Sequence, residues 1–138
     1  MSEIKLGIIG GGQLGSMLSN AAQKLNVKTV IYCDDLDAPA KNFCDEFICG
    51  KYDEKEKINE FIEKIDIATY EFENIPFETL NEINKIKPVL PKPSINRLIQ
   101  HRLAEKDFVN KLNIRTTQYA SVDKKSDLDS LKDLLPGI

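Results

Sequence analysis

The segment GGGQLG at residues 10–15 is the first candidate ligand-binding feature along the sequence. It satisfies G-x-G-x-x-G directly after an apolar run and directly before a segment of helical periodicity. Glycines allow a tight turn and a close ligand, while the start of a helix offers unpaired N–H groups to an anion or a polar ligand. The Gln13 amide could serve that ligand as donor and acceptor. Alternatively, the glycines only pack the helix against the strand.

Two carboxylates form a second candidate feature, in the segment TYEFEN at residues 69–74. Glu71 and Glu73 follow a predicted strand at residues 66–70, at the edge where a doubly wound sheet binds its ligand. Alternation along a strand places both glutamate side chains on one face of the sheet and Phe72 on the other. Two carboxylates repel a pyrophosphate and suit a ligand that presents amine or hydroxyl donors. Alternatively, either glutamate caps the next helix or pairs with a lysine.

The glycine pattern by itself also admits a nicotinamide or flavin dinucleotide. In that interpretation Asp34 or Asp35, after the second predicted strand, holds a ribose hydroxyl. Glu71 and Glu73 count against it, because the pyrophosphate would lie beside two negative charges. The two features together therefore favour an amino-bearing metabolite.

Apolar periodicity predicts the elements that position these residues. Strands are predicted at residues 4–9, 27–32, 46–49 and 66–70, with a short one at 89–90, and helices at 13–25, 54–64 and 77–87. Strands that alternate with helices indicate right-handed βαβ units. The predicted fold is therefore α/β, a Rossmann-like, doubly wound parallel sheet whose ligands bind at the carboxyl ends of the strands.

Prolines mark the predicted domain boundary, since Pro88, Pro91 and Pro93 interrupt the alternation. We predict a substrate-binding domain at residues 1–93 and linking helices at 94–115, with residues 95–112 helical in one or two pieces. Residues 116–138 are predicted to begin a second domain that is truncated. A possible strand at 117–122 and a helix at 126–135 are too few to enclose a core of their own.

Composition excludes several other functions. The formal net charge of -3 gives no basic field for a phosphate backbone, so nucleic acid is not an expected partner. Cys33, Cys44 and Cys49 have no CxxC spacing and His101 is the only histidine, which predicts reduced thiols and no metal site. No apolar run approaches a signal peptide or a membrane span of about 20 residues, so a cytoplasmic protein is expected.

Four stretches of the chain resemble the N5-carboxyaminoimidazole ribonucleotide synthetases, which are ATP-grasp ligases. They are GGGQLG at 10–15, DLDAPA at 35–40, TYEFEN at 69–74 and QHRLAEK at 100–106. The resemblance implies a Rossmann-like pre-ATP-grasp domain followed by the beginning of an ATP-grasp lid. It also implies a carbon-nitrogen ligase of de novo purine biosynthesis. That enzyme would carboxylate 5-aminoimidazole ribonucleotide with ATP and bicarbonate, through carboxyphosphate.

The resemblance further implies roles for individual residues. Those expected to contact 5-aminoimidazole ribonucleotide are Gln13, Leu14, Tyr70, Glu71 and Glu73. Glu71 would accept from the substrate amine, and Arg102 matches an arginine that reaches the ATP phosphates. ATP and Mg²⁺ are the implied cofactors and a homodimer is the implied assembly. Catalytic and metal-binding residues are expected beyond Ile138, so this chain alone is expected to be inactive. His101 departs from the family pattern and receives no role.

Two other functions stay open at this point. A related ATP-grasp ligase acting on glycinamide ribonucleotide would share the glycine turn and the DAPA stretch, although TYEFEN argues against it. A non-catalytic module would bind a dinucleotide through the glycine turn, and it would enhance NADH fluorescence.

Overall fold

The structure, a computed structural model, describes residues 4–131 and divides the chain into two units that meet after Arg97. The first unit holds four strands, β1 (Lys5–Ile9), β2 (Lys28–Cys33), β3 (Glu46–Cys49) and β4 (Ile67–Tyr70). Its helices are α1 (Gln13–Lys24), α2 (Lys55–Lys64), α3 (Phe77–Asn84) and α4 (Pro93–Ile99), which runs across the boundary, with a 3₁₀ turn at Pro39–Asn42. Helices α5 (Arg102–Lys111) and α6 (Lys125–Ser130) follow in the second unit.

The four strands form one parallel sheet in the order β3-β2-β1-β4. Ile9, at the end of β1, lies in register with Tyr32 on one side and Tyr70 on the other. A single parallel bridge between Ala68 and Val89 extends the sheet where the short fifth strand is predicted. The doubly wound α/β fold expected from the sequence is confirmed, and the strands end at one common edge.

The sheet is buried on both faces, as parallel sheets are. Ile8 and Ile31 are in register and pack with Ala40 on one face. Ile9 and Tyr32, one residue further along, belong to a larger cluster on the other face. That cluster consists of Ile9, Val30, Tyr32, Ile48, Ile58, Phe61, Ile62, Ile65, Ala68, Ile75, Leu80, Ile83 and Val89.

Helix α2 packs closely on β1 because Gly7 has no side chain. A Cβ atom there would lie 2.5 Å from Cζ of Phe61 and 2.9 Å from the Ile65 side chain. Phe61 is fully buried, and its ring centroid is 5.5 Å from that of Tyr32. The packing of the larger core cluster therefore depends on Gly7 in strand β1.

The predicted helical stretch 95–112 is divided into α4 and α5, and His101 explains where α5 begins. Its Nδ1 accepts a hydrogen bond of 3.3 Å from the backbone N–H of Ala104, so the imidazole caps the helix. No helix within residues 4–131 is long and apolar enough to cross a membrane.

The strand predicted at residues 117–122 is wrong, because the structure has no strand there. An extended segment needs a neighbouring strand for its N–H and C=O groups, and the described part of the chain offers none to it. Side-chain bonds hold its start instead, such as the one from Lys106 Nζ to Thr117 Oγ1 at 3.2 Å. The predicted helix 126–135 begins at Lys125, and its final part lies outside the described residues. The domain bounds 1–93, 94–115 and 116–138 stay predictions.

Candidate functional site

The glycine turn between β1 and α1 has a backbone that favours glycine at one position. Gly10 has φ +111°, a conformation that other residues rarely adopt, and its N–H donates to the Tyr32 carbonyl at 2.8 Å. The Gly11 carbonyl accepts from the Ala40 N–H at 3.0 Å. The glycine turn is therefore fixed to the end of β2 and to the 3₁₀ turn at Pro39–Asn42. Helix α1 begins directly after it, at Gln13.

The Glu71 side chain fills the concave side of this turn. Strand β4 ends at Tyr70, and the Glu71 N–H still donates to the Ile9 carbonyl at 3.1 Å. Its Oε1 accepts from the Gly12 N–H at 2.7 Å, and its Oε2 accepts from the Gly15 N–H. A carboxylate at the N-terminus of α1 satisfies two helix donors and interacts favourably with the helix dipole.

This bonding corrects the interpretation of Glu71 as a cap of the next helix. The next helix, α3, begins after Pro76 without a side-chain cap, whereas Glu71 caps α1 from across the sheet edge. The N–H groups that would cradle a phosphate are therefore already bound to an internal carboxylate. A pyrophosphate would have to displace a negative charge that lies where it must bind, which counts against a dinucleotide.

A cavity of about 260 Å³ opens beside Glu71 at the carboxyl edge of the sheet. Its lining residues are Gly11, Gly12, Cys33, Asp34, Asp35, Ala38, Pro39, Tyr52, Glu71 and Phe72. Three of them are carboxylates and two are aromatic, and none of these described lining residues is basic. Such a site attracts a ligand that presents N–H and O–H donors, and it repels phosphate.

The DLDAPA stretch forms one wall of the cavity. Asp35 accepts twice, through Oδ1 from the Asp37 N–H at 2.9 Å and through its carbonyl from Cys33 Sγ at 3.2 Å. Ala38 lies so close to Gly11 that a Cβ on the glycine would be 2.7 Å from the alanine Cβ. Burial raises the pKa of Cys33 to about 11, so it remains a thiol at neutral pH. Small side chains here leave the cavity open.

The other predicted substrate residues, Gln13, Leu14, Tyr70 and Glu73, are not among the residues that line this cavity. Gln13 and Leu14 form the first turn of α1, where both are exposed, Leu14 by 55%. The Tyr70 ring packs against the larger core cluster, and burial raises its pKa. Its hydroxyl is buried and has no hydrogen-bond partner among the described residues. Glu73 is exposed beyond the end of β4, so strand alternation does not reach it.

Arg102 belongs to the second unit, where it is the first residue of α5. Its side chain is 77% exposed and forms an ion pair with Glu105 one turn further on. Residues 4–131 contain no group of three His, Cys, Asp or Glu side chains that could hold a metal ion.

Sequence patterns missed Tyr52 as a cavity residue. Tyr52 follows the end of β3, and the carboxyl ends of all parallel strands meet at the ligand edge. Its position after the strand was therefore the available signal, although the direction of a loop side chain is not encoded in any periodicity.

Comparisons with known proteins agree with this architecture. A family model described as the ribonucleotide synthetase preATP-grasp domain matches residues 3–100. The N5-carboxyaminoimidazole ribonucleotide synthase of Staphylococcus aureus strain COL is 35% identical over 130 residues, which are 94% of this chain and 35% of that protein. The bifunctional purine synthesis protein purC/E of Dictyostelium discoideum is 38% identical over 125 residues, 91% of this chain and 12% of its own length.

Solved structures of N5-carboxyaminoimidazole synthetases are also similar to this chain. The Staphylococcus aureus N5-carboxyaminoimidazole synthetase complexed with ADP has a TM-score of 0.87 and 33% identity, over 97% of this chain and 36% of that one. The Aspergillus clavatus N5-carboxyaminoimidazole synthase in complex with ADP and 5-aminoimidazole ribonucleotide has a TM-score of 0.82 and 26% identity, with coverage of 97% and 36%. The chain thus spans about a third of the length of the synthetases that it matches.

Proposed function

The chain belongs to the ribonucleotide synthetase preATP-grasp family, and from this premise we propose that it is the substrate-binding part of a longer ATP-dependent ligase. The ligase would carboxylate 5-aminoimidazole ribonucleotide to its N5-carboxy derivative with bicarbonate, in purine biosynthesis. Support comes from the relatives named as synthases of this product and from the related fungal enzyme that binds 5-aminoimidazole ribonucleotide.

The observation that carries the proposal is the carboxylate of Glu71 in the glycine turn. It lies beside a cavity with two further carboxylates, Asp34 and Asp35, and two aromatic rings. A flat, donor-rich aminoimidazole suits such surroundings, whereas a phosphate does not. The volume of about 260 Å³ is below the roughly 300–1,000 Å³ of sites that enclose a drug-sized ligand. We infer that one end of the ribonucleotide enters and the phosphate stays outside.

Glu71 would gain the substrate amine as a further partner while keeping its bonds to the turn. Its oxygens are bonded to Gly12 and Gly15 N–H groups, and a carboxylate oxygen has a second lone pair for an amine donor. The carboxylate is therefore held in place before the substrate arrives, and the amine would be oriented without reorganisation of the turn. Contacts from Gln13, Leu14, Tyr70 and Glu73 remain part of the proposal.

The cavity does not fit the triphosphate of ATP, because three carboxylates line it and none of its described lining residues is basic. We propose that ATP is bound elsewhere in the longer protein, with Arg102 as one phosphate ligand. Mg²⁺ would enter with the nucleotide, since residues 4–131 offer no cluster for it. A cytoplasmic homodimer is likewise proposed.

Ligand binding by this chain tests the proposal directly. Isothermal titration should detect 5-aminoimidazole ribonucleotide binding that is at least about tenfold tighter than binding of glycinamide ribonucleotide, because only the former has a flat ring for the aromatic walls. NADH fluorescence should not increase. Tight NADH binding would contradict the proposal and establish a dinucleotide module instead, and a preference for glycinamide ribonucleotide would indicate the related ligase.

The longer enzyme allows a sharper test with a matched pair of variants. Glu71→Gln keeps the shape of the side chain but removes the charge, and carboxylation should fall severely, by about 100-fold or more. Glu63→Gln makes the same chemical change at an exposed position near the end of α2, outside the residues proposed to contact the substrate, and it should cost less than about twofold. Equal effects of the two substitutions would remove Glu71 from its proposed role.

A further inference from the structure

Tyr52 is the one described residue lining the cavity whose side chain carries an O–H or N–H group. The carboxylates Asp34, Asp35 and Glu71 can only accept hydrogen bonds when they are ionised. The remaining polar side chain, Cys33, is a weak donor whose Sγ already points to the Asp35 carbonyl at 3.2 Å. Among the described residues that line the cavity, Tyr52 is therefore the only strong side-chain donor for an acceptor atom of a ligand.

Three hydrogen bonds that involve side chains hold the backbone around Tyr52. The hydroxyl of Tyr32, a fully buried residue, donates to the Lys51 carbonyl at 2.6 Å. Thr79 Oγ1 donates to the Tyr52 carbonyl at 2.5 Å, from helix α3. The Lys51 N–H donates to Glu54 Oε2 at 3.2 Å. The loop after β3 is thus fixed from the sheet and from a helix, which positions the Tyr52 ring before a ligand binds.

The surroundings of the ring keep its hydroxyl protonated. Tyr52 is half-buried, and its ring centroid lies 6.1 Å from that of Tyr32. Burial raises the pKa of Tyr52, and the negative charges of Asp34 and Glu71 raise it further. A phenol in this setting donates a hydrogen bond, and it does not add a fourth negative charge to the cavity.

We propose that Tyr52 is a substrate-positioning residue of this site, whose ring packs against the flat heterocycle of the ligand and whose O–H donates to the unsubstituted ring nitrogen. The proposal rests on the proposed function and adds a determinant of specificity to it. Glu71 would take the amine and Tyr52 the ring nitrogen, so that two opposite hydrogen-bonding requirements select an aminoimidazole. A glycinamide has neither the flat ring nor that nitrogen.

Two variants of Tyr52 test this role in titrations of the chain with 5-aminoimidazole ribonucleotide. Tyr52→Phe keeps the ring and its packing, and the dissociation constant should rise by about 3- to 10-fold, as expected for one lost hydrogen bond. Tyr52→Leu also removes the flat surface, and it should raise the constant by at least about tenfold. Tyr119→Phe removes a hydroxyl in the second unit, far from the lining residues in sequence, and should leave the constant unchanged.

A second ligand and a kinetic measurement show whether Tyr52→Phe acts on the heterocycle or disturbs the structure of the site as a whole. Ribose 5-phosphate lacks the heterocycle, so its dissociation constant should be the same for the original chain and for Tyr52→Phe. In the longer enzyme, Tyr52→Phe should raise KM for the ribonucleotide by about 3- to 10-fold while KM for ATP stays constant.

The outcomes that overturn the proposal are distinct. Unchanged affinity of both Tyr52 variants for the ribonucleotide would exclude Tyr52 from the site while leaving the proposed function standing. An equal loss of ribose 5-phosphate affinity would show that Tyr52 serves the sugar and not the heterocycle. Absence of ribonucleotide binding by the original chain and by the longer enzyme would overturn the proposed function together with this role.

Discussion

The two units of the chain differ in what holds them together. Every described residue that is buried lies in the first unit, where apolar side chains cover both faces of a parallel sheet. From Leu98 to Leu131, no residue whose exposure is described is buried, and Phe108, Leu112 and Ile114 expose 44%, 55% and 55% of their surface. The first unit therefore encloses a core with its own residues, and the part of the second unit that the structure describes does not.

Local polar contacts take the place of a core in the second unit. Asn110 Nδ2 donates to Thr116 Oγ1 at 3.0 Å, and the Tyr119 hydroxyl donates to Asp107 Oδ1 at 2.6 Å. The ammonium of Lys106 lies 5.3 Å from the Tyr119 ring centroid. Exposed contacts of this kind contribute little stability, whereas burial of an aromatic side chain contributes several kcal/mol. The candidate site therefore lies on the unit whose elements are held by a buried core.

The largest predicted effect tests this difference with two phenylalanines. Phe61→Ala should lower the free energy of unfolding by about 3–5 kcal/mol, because it empties a fully buried position against Tyr32 and Gly7. Phe108→Ala, at a position that is 44% exposed, should cost less than about 0.5 kcal/mol. Urea unfolding followed by circular dichroism measures both. Similar losses would mean that the second unit has a core as well.

Glu71 provides the next largest effect, since it joins the end of β4 to the start of α1. Glu71→Gln retains one acceptor oxygen but places an amide N–H₂ against a backbone donor, and the free energy of unfolding should fall by about 1.5–3 kcal/mol. Glu63→Gln, at an exposed position of α2, should change it by less than about 0.5 kcal/mol. The same urea titration at neutral pH suffices. If the two variants proved equally stable, the Glu71 carboxylate would contribute little to the stability of the turn.

Sequence patterns predicted the elements of the first unit well, because its strands are apolar runs between glycine or charged residues. Strand β3 has the predicted bounds, and α1 ends one residue before the prediction. Helix α3 ends at Asn84, three residues early, since the Lys85 and Ile86 N–H groups bond in a tightened turn before Pro88. The second unit was predicted less well, because without a core no periodicity distinguishes a strand from an extended loop.

The site was predictable only in part. The glycine turn and Glu71 lie at strand ends, so topology brings them to one edge. Their direct bonding joins residues 56 and 59 positions apart, and no local pattern encodes it. Tyr52 was missed for a related reason, because its direction depends on hydrogen bonds from Tyr32 and Thr79 to the loop backbone.

Asp45 links two elements of the first unit, because it directly precedes β3 and bonds to Thr29 in β2. Hydrogen bonding from the Thr29 N–H, at 2.9 Å, holds the pKa of Asp45 below its ordinary value of 3.8, with Lys28 assisting. A lowered folded-state pKa gives stability that is complete above the unfolded pKa and is lost as pH falls through the folded one. Asp45 is exposed, so solvent screening keeps the contribution small. Unfolding measured between about pH 5 and 2 should therefore show an acid-dependent loss of less than about 1 kcal/mol that Asp45→Asn removes. An identical pH profile for the variant would exclude this carboxylate as a contributor.

The smallest predicted effect concerns the N-terminal cap of α5. His101 caps this helix from three residues away in sequence, whereas Glu71 caps α1 from 56 and 59 residues away. His101→Ala removes the acceptor for the Ala104 N–H and should destabilise the first turn by about 0.5 kcal/mol, whereas His101→Asn should restore it because asparagine is a strong N-cap. Amide hydrogen exchange at Ala104 should accelerate about twofold in the alanine variant and return in the asparagine variant. Exchange in β1 should not change, because the bond that is lost joins two residues of the first turn of α5. Acceleration in both regions would mean that the two units unfold together, and the difference between them would then lie in burial alone.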